Sequence, residues 1–105
     1  MIERLRAQIG GPHDGALLRY SLGNALLAAG DAAAAAAEAL RAAVGFDPAY
    51  SAAWKLLGRA LEAGADFDGA REAWRRGIEV AAARGDVQAG KEMAVFLRRL
   101  ERRPD

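Results

Sequence analysis

The chain contains no cysteine, which excludes both a disulfide framework and a thiolate metal site. It has no threonine, and its small polar residues are Ser21, Ser51, Asn24, Gln8 and Gln88, with His13 as the single histidine. Nucleophilic and proton-transfer sites are built from those residue types, so the inventory is poor material for an active site; neither catalysis nor a cofactor is expected. A charge excess is missing too. The 15 basic and 14 acidic residues leave a formal charge of +1, and no global field steers the protein toward nucleic acid or an anionic membrane. No window offers the ~18 apolar residues of a spanning helix. The first residues, MIERLRAQIGGPHDG, carry charges where a signal peptide needs an apolar core. A soluble, unexported, cytoplasmic chain is the expectation.

What is present favours helices. Alanine, leucine, arginine and glutamate dominate the 105 residues, and their propensities add up over long windows. Breakers at Gly10-Gly11-Pro12, Gly30-Asp31, Gly45 to Pro48, Gly64 to Asp68 and Gly85-Asp86 leave segments of helix length. The expected helices run over about 2–9, 14–29, 31–45, 48–64, 66–84 and 86–102, within one domain spanning 1–105. At Gly30-Asp31 and Gly85-Asp86 glycine closes one helix and aspartate caps the next. Asp14 is expected to cap the second helix, and Asp47-Pro48 reads as a cap with proline at the first helical position. The tract GDAAAAAAEALRAAVGFDP becomes a helix capped by Asp31 and ended near Gly45, with Ala33, Ala36, Ala37, Leu40, Ala43 and Val44 on one apolar stripe.

The chain also repeats itself. RYSLGNAL at 19–26 aligns with WKLLGRAL at 54–61, a shift of 35; Leu22-Gly23 and Leu57-Gly58 are the anchors, and Ala36 and Leu40 correspond to Ala70 and Trp74 at a shift of 34. The one-residue irregularity is expected within the alanine-rich helix. Gly23 and Gly58 stand inside helices, where glycine costs ~1 kcal/mol relative to alanine, so a close helix approach is expected at both. Trp54 and Trp74 are expected to fill the space between units.

These residues resemble the tetratricopeptide repeat, whose signature combines a tryptophan, a Leu-Gly pair, a large residue three further on, an Ala-x-x-x-Phe step and a closing proline. One unit (about 16–50) carries Leu22-Gly23, Leu26, Ala36, Leu40 and Pro48; the next (about 51–84) carries Trp54, Leu57-Gly58, Leu61, Ala70 and Trp74. The first has Arg19 in place of the tryptophan; the second lacks the proline and runs on through GIEVAAARG. A last helix, about 86–102, resembles a third first-helix serving as a cap through Met93, Val95, Phe96, Leu97 and Leu100. The whole is similar to small uncharacterised bacterial proteins of this class. The resemblance implies an all-α, right-handed stack of antiparallel helix pairs, with a short N-terminal helix and a C-terminal capping helix.

It further implies a concave groove lined by the first helix of each unit: Leu17, Tyr20, Asn24 and Leu27, then Ala52, Lys55, Arg59 and Glu62, with Gln88 and Lys91 if the last helix continues the series. Asn24, Lys55, Arg59 and Lys91 loosely resemble the clamp with which some family members hold a peptide's terminal carboxylate, although Leu56 stands where a second asparagine belongs. The same residues also read as ordinary solvated charges. The implied function is a non-catalytic interaction module for a peptide or protein segment. The alternatives are a structural or self-associating subunit, monomer or weak homodimer, exposing RRGIEVAAARGD with Gly77, and nucleic-acid binding through Arg98, Arg99, Arg102 and Arg103. That basic run lacks interleaved aromatics and also suits a helix C-terminus. His13 beside Asp14 reads as a loop residue.

Overall fold

The computed structural model describes residues 1–30 and 32–103, and in these residues the chain is all-helical: α1 (Ile2–Arg6), α2 (Ala16–Ala28), α3 (Ala33–Phe46), α4 (Ser51–Ala63), α5 (Phe67–Arg84) and α6 (Val87–Glu101). Helices α2 and α3 pack as one antiparallel pair and α4 and α5 as the next; α4 also packs on α3, α6 packs on α5, and α1 lies against α2. The extents of 40 × 31 × 17 Å describe a slab, and its short dimension is that of two helix layers ~8–10 Å apart.

The buried surface follows the expected stripes. Ala36, Ala37, Leu40, Ala43 and Val44 are buried on α3, joined by Ala39, while Ala33 is half-buried at the helix start. A Cβ on Gly23 would sit 2.5 Å from Leu40 Cγ, and one on Gly58 would overlap the Trp74 indole. Both mid-helix glycines are therefore seats for the large side chain of the partner helix. Trp74, 1 % exposed, packs against Phe96 with the rings tilted by 43° and donates Nε1–H to the Lys55 carbonyl at 3.1 Å. Trp54 is only half-buried: its Nε1–H donates to the Pro48 carbonyl at 2.9 Å, and the Arg76 guanidinium lies 5.2 Å from its ring centroid. The two tryptophans are thus not equivalent core residues.

Several boundaries differ from expectation. Asp14 does not cap α2; Gly15 is the N-cap, without a side-chain bond, and the Asp14 carboxylate instead accepts from the Gly10 amide at 2.9 Å and from Arg19. The bidentate guanidinium keeps that carboxyl far below the usual range. Asp47-Pro48 forms a turn rather than a helix start: Asp47 is extended, its carboxylate accepts from Ala49 N–H and its carbonyl from Tyr50 N–H, so α4 begins at Ser51. The expected Asp31 cap lies outside the described residues. Asp86 caps α6 by accepting from the Ala89 amide at 3.2 Å, after Gly85 turns left-handed at φ 75°. Asp66 caps α5 in the same way through the Gly69 amide at 3.0 Å.

The one-residue irregularity falls in a turn rather than in the alanine helix. Between Ala28 and Ala33 lie four residues; between Ala63 and Phe67 lie three. Gly77, expected on an exposed face, is buried: a Cβ there would come within 2.8 Å of Trp54 Cβ and would overlap Met93. Small residues on α5 let α6 approach it closely.

Candidate interaction face

Helix α2 contributes four of the expected groove residues. Leu17 is 70 % exposed, and Tyr20 is half-buried with its ring 5.0 Å from that of Tyr50. Burial first, then the Tyr20 neighbour, pushes the Tyr50 phenol upward. Asn24 is exposed at a shallow hollow of about 500 Å³ shared with Met1, Ile2 and Glu3, and Leu27 is half-buried against the core. The α2 residues are therefore split: Tyr20 and Leu27 are committed to packing, while Leu17 and Asn24 remain accessible.

Helix α4 supplies the charged part. Lys55 makes a 3.1 Å ion pair with Glu92 of α6, and the Arg59 guanidinium lies 5.1 Å from the centroid of Phe96. Ala52 and Glu62 are half-buried. Nothing in its sequence context singles out Glu92. It reaches Lys55 because α4 and α6, first helices of successive pairs, pack side by side, a relation that appears only once the repeat is extended into α6.

The two α6 residues expected in the groove are both exposed, but Lys91 lines a hollow with Ile78 and Ala82 on the α5 side. Lys55, Arg59 and Glu92 are thus tied to one inter-helix seam, whereas Asn24 adjoins α1 and Lys91 the far edge of α6. Donors that sequence spacing brought into one cluster are spread along the slab.

A third hollow, about 430 Å³, lies on the side of the second helices: Val44 of α3 and Ala73 of α5 line it with Trp54, Leu57 and Leu61 of α4, together with Arg41 and Arg76. Among the described residues, no group of three or more histidine, cysteine or acidic side chains is arranged to hold a metal ion, and no helix is long and apolar enough to cross a membrane. His13 is exposed, and its sequence neighbour Asp14 is bound by Arg19 at 2.8 Å.

Stacked helix pairs closed by glycine seats for Leu40 and Trp74 define a helical-repeat protein, and the comparisons give the kind. The chain belongs to the tetratricopeptide-repeat family: it is 54 % identical over 102 residues to the TPR repeat-containing protein PA0015 of Pseudomonas aeruginosa, an alignment covering 97 % of this chain and 96 % of the relative. It is also similar to the solution structure of protein BPP2914 from Bordetella parapertussis, with a TM-score of 0.81 and 48 % identity, covering 97 % of this chain and 88 % of that one. No family model matches the chain.

Proposed function

We propose that the protein is a non-catalytic interaction module that holds a peptide or protein segment against the face formed by α2, α4 and α6. The observation that carries this reading is the state of α4: Lys55 and Arg59 stand one helical turn apart, the half-buried Lys55 paired with Glu92 and the exposed Arg59 lying over Phe96, both on α6. An acidic group on a partner replaces Glu92 at the Lys55 ammonium, while Leu17 offers apolar contact. The exchange is one carboxylate for another, so binding gains its specificity from the neighbouring contacts and no bond is made or broken. The protein acts as a monomer or weak homodimer, and its partners are proteins rather than nucleic acids.

The test compares captured partners from lysate for wild type and the Lys55→Glu/Arg59→Glu variant, after circular dichroism has confirmed that both are helical. Loss of the wild-type partners supports the reading; identical capture overturns it and favours a structural subunit that docks elsewhere. Glu92→Gln, which releases Lys55 from its internal partner, is expected to strengthen capture of the same partners.

A further inference from the structure

The far side of α6 is the one place where the repeat geometry is left unfinished among the described residues. Ala53 and Leu57 of α4 are buried, and Ala89 and Met93 of α6 are buried in the same spacing, which sets the two helices in register at a shift of 36. In that register Ala94 occupies the place of Gly58, and Gly90 and Leu97 those of Trp54 and Leu61. Gly23 receives Leu40 and Gly58 receives Trp74. Ala94 receives nothing. Instead it borders a hollow of about 350 Å³ formed by Ile78 and Ala82 of α5 with Val87, Gly90 and Lys91 of α6. Val87, 65 % exposed, leaves an apolar side chain uncovered beside it.

The edge of this seat is basic. Val87, Lys91, Ala94, Arg98 and Arg102 recur at the spacing of one helix face. Lys91, Arg98 and Arg102 are exposed, and none lies within 4.0 Å of a carboxylate among the described residues. Three nearby acids are already engaged: Asp86, which lines the hollow, accepts from the Ser51 hydroxyl at 2.6 Å and the Ala89 amide at 3.2 Å, Asp68 pairs with Arg71 at 2.7 Å and Glu101 with Arg75 at 3.5 Å. A second copy presenting its own α6 would bring Lys91 and Arg98 against like charges. The charge pattern therefore selects an acidic visitor over self-association.

We propose that this end of the slab is a docking seat for an acidic amphipathic helix of a partner protein. The helix lies beside α6 where the second member of a third pair would lie. It places a bulky apolar side chain over Ala94 and directs carboxylates at Lys91 and Arg98. Recognition is that of a helix in a groove, with the anchor supplied in trans beside Ala94, whose Cβ leaves a shallower seat than the one Gly58 offers to Trp74. The seat shares no residue with the Lys55–Arg59 seam.

The experiment titrates the full-length, ¹⁵N-labelled protein with a synthetic acidic amphipathic peptide bearing one tryptophan among leucines on its apolar face and glutamates on its flanks. A control peptide keeps the apolar face and carries lysine flanks; a single-stranded RNA oligonucleotide and a sedimentation series of the protein alone complete the set. Saturable shifts of the Val87, Gly90 and Ala94 amides with the acidic peptide only are expected. Ala94→Arg, which fills the seat, and Lys91→Glu/Arg98→Glu, at two exposed positions that leave packing intact, are each expected to weaken binding by about tenfold or more. Lys55→Glu/Arg59→Glu is expected to leave this titration unchanged, which separates it from the concave-face reading. Equal binding of both peptides, shifts centred on Lys55 and Glu92, preferential saturation by RNA, or a dimer abolished by Ala94→Arg would each overturn the proposal.

Discussion

At the scale of single residues, what a glycine does depends on what stands opposite it. Gly58 and Gly45 are both helical, yet a Cβ on Gly58 runs into the Trp74 indole, whereas one on Gly45 meets nothing within 4 Å. The same substitution should therefore have opposite signs. Gly58→Ala forces Trp74 out of its rotamer and out of its bond to the Lys55 carbonyl, and is expected to cost ~1–3 kcal/mol. Gly45→Ala is expected to raise stability by ~0.5–1 kcal/mol through helix propensity alone. Urea denaturation of the two variants beside wild type measures both; a matching sign would contradict the packing assigned to Trp74. The tryptophans differ for a related reason. Trp74→Ala empties a buried site and is expected to cost ~3–5 kcal/mol, while Trp54→Ala, with part of its ring already in solvent under Arg76, is expected to cost only ~1–2 kcal/mol. The sequence marks both as large and apolar, and only the relation between helices distinguishes them.

At the scale of elements, helix ends show where sequence reasoning succeeds and where it slips. The close of α5 uses the residue the chain announces: Gly85 is left-handed, its amide donates to Ala82 at 3.2 Å, and the Asp86 amide donates to Ala81 at 2.8 Å. The close of α4 has the same two bonds, Ala65 to Glu62 at 2.9 Å and Asp66 to Leu61 at 2.8 Å, but its glycine stands one place early. Gly64 stays right-handed and Ala65 takes φ 62°. An alanine there bears the left-handed penalty of ~1–2 kcal/mol, so Ala65→Gly is expected to raise the thermal midpoint, corresponding to ~1 kcal/mol. A lower midpoint would show that backbone freedom in the unfolded chain outweighs the relief. The breakers thus locate every turn, because glycine, proline and aspartate act locally. They do not fix which residue of a turn bears which conformation: Asp47 and Asp14 can each satisfy a nearby amide or a longer-range partner, and that choice is made by the rest of the structure.

At the scale of the whole molecule, aspartates tie one segment to another, Asp14 over 5 residues and Asp86 over 35, and spacing alone announces neither tie. Asp14 fastens the loop after α1 to Arg19 of α2, and Asp86 accepts a 2.6 Å bond from the Ser51 hydroxyl, joining the starts of α4 and α6 across 35 residues. Ser51 is the buried polar side chain in this core, and in sequence it is merely one of two serines. Both carboxyls are held below their ordinary value of 3.8, Asp14 chiefly by the Arg19 guanidinium and Asp86 chiefly by the Ser51 hydroxyl. A carboxyl whose folded pKa is depressed binds protons more readily when unfolded. Its contribution to stability is therefore complete above the unfolded value and fades as pH falls through the folded one. Stability is accordingly expected to be flat in this respect from neutrality to about pH 5 and to fall below about pH 4. Asp14→Asn removes one of the two groups responsible. Compared with wild type by urea midpoints at pH 7 and pH 3, it should lose stability at pH 7 and show a smaller drop between the two conditions. An undiminished drop would place the acid sensitivity elsewhere. Because the Ser51–Asp86 bond joins the same helices as the Lys55–Glu92 pair, Ser51→Ala should loosen the α4–α6 seam as well as lower stability, and this links the acid-sensitive ties to the face proposed for partner binding.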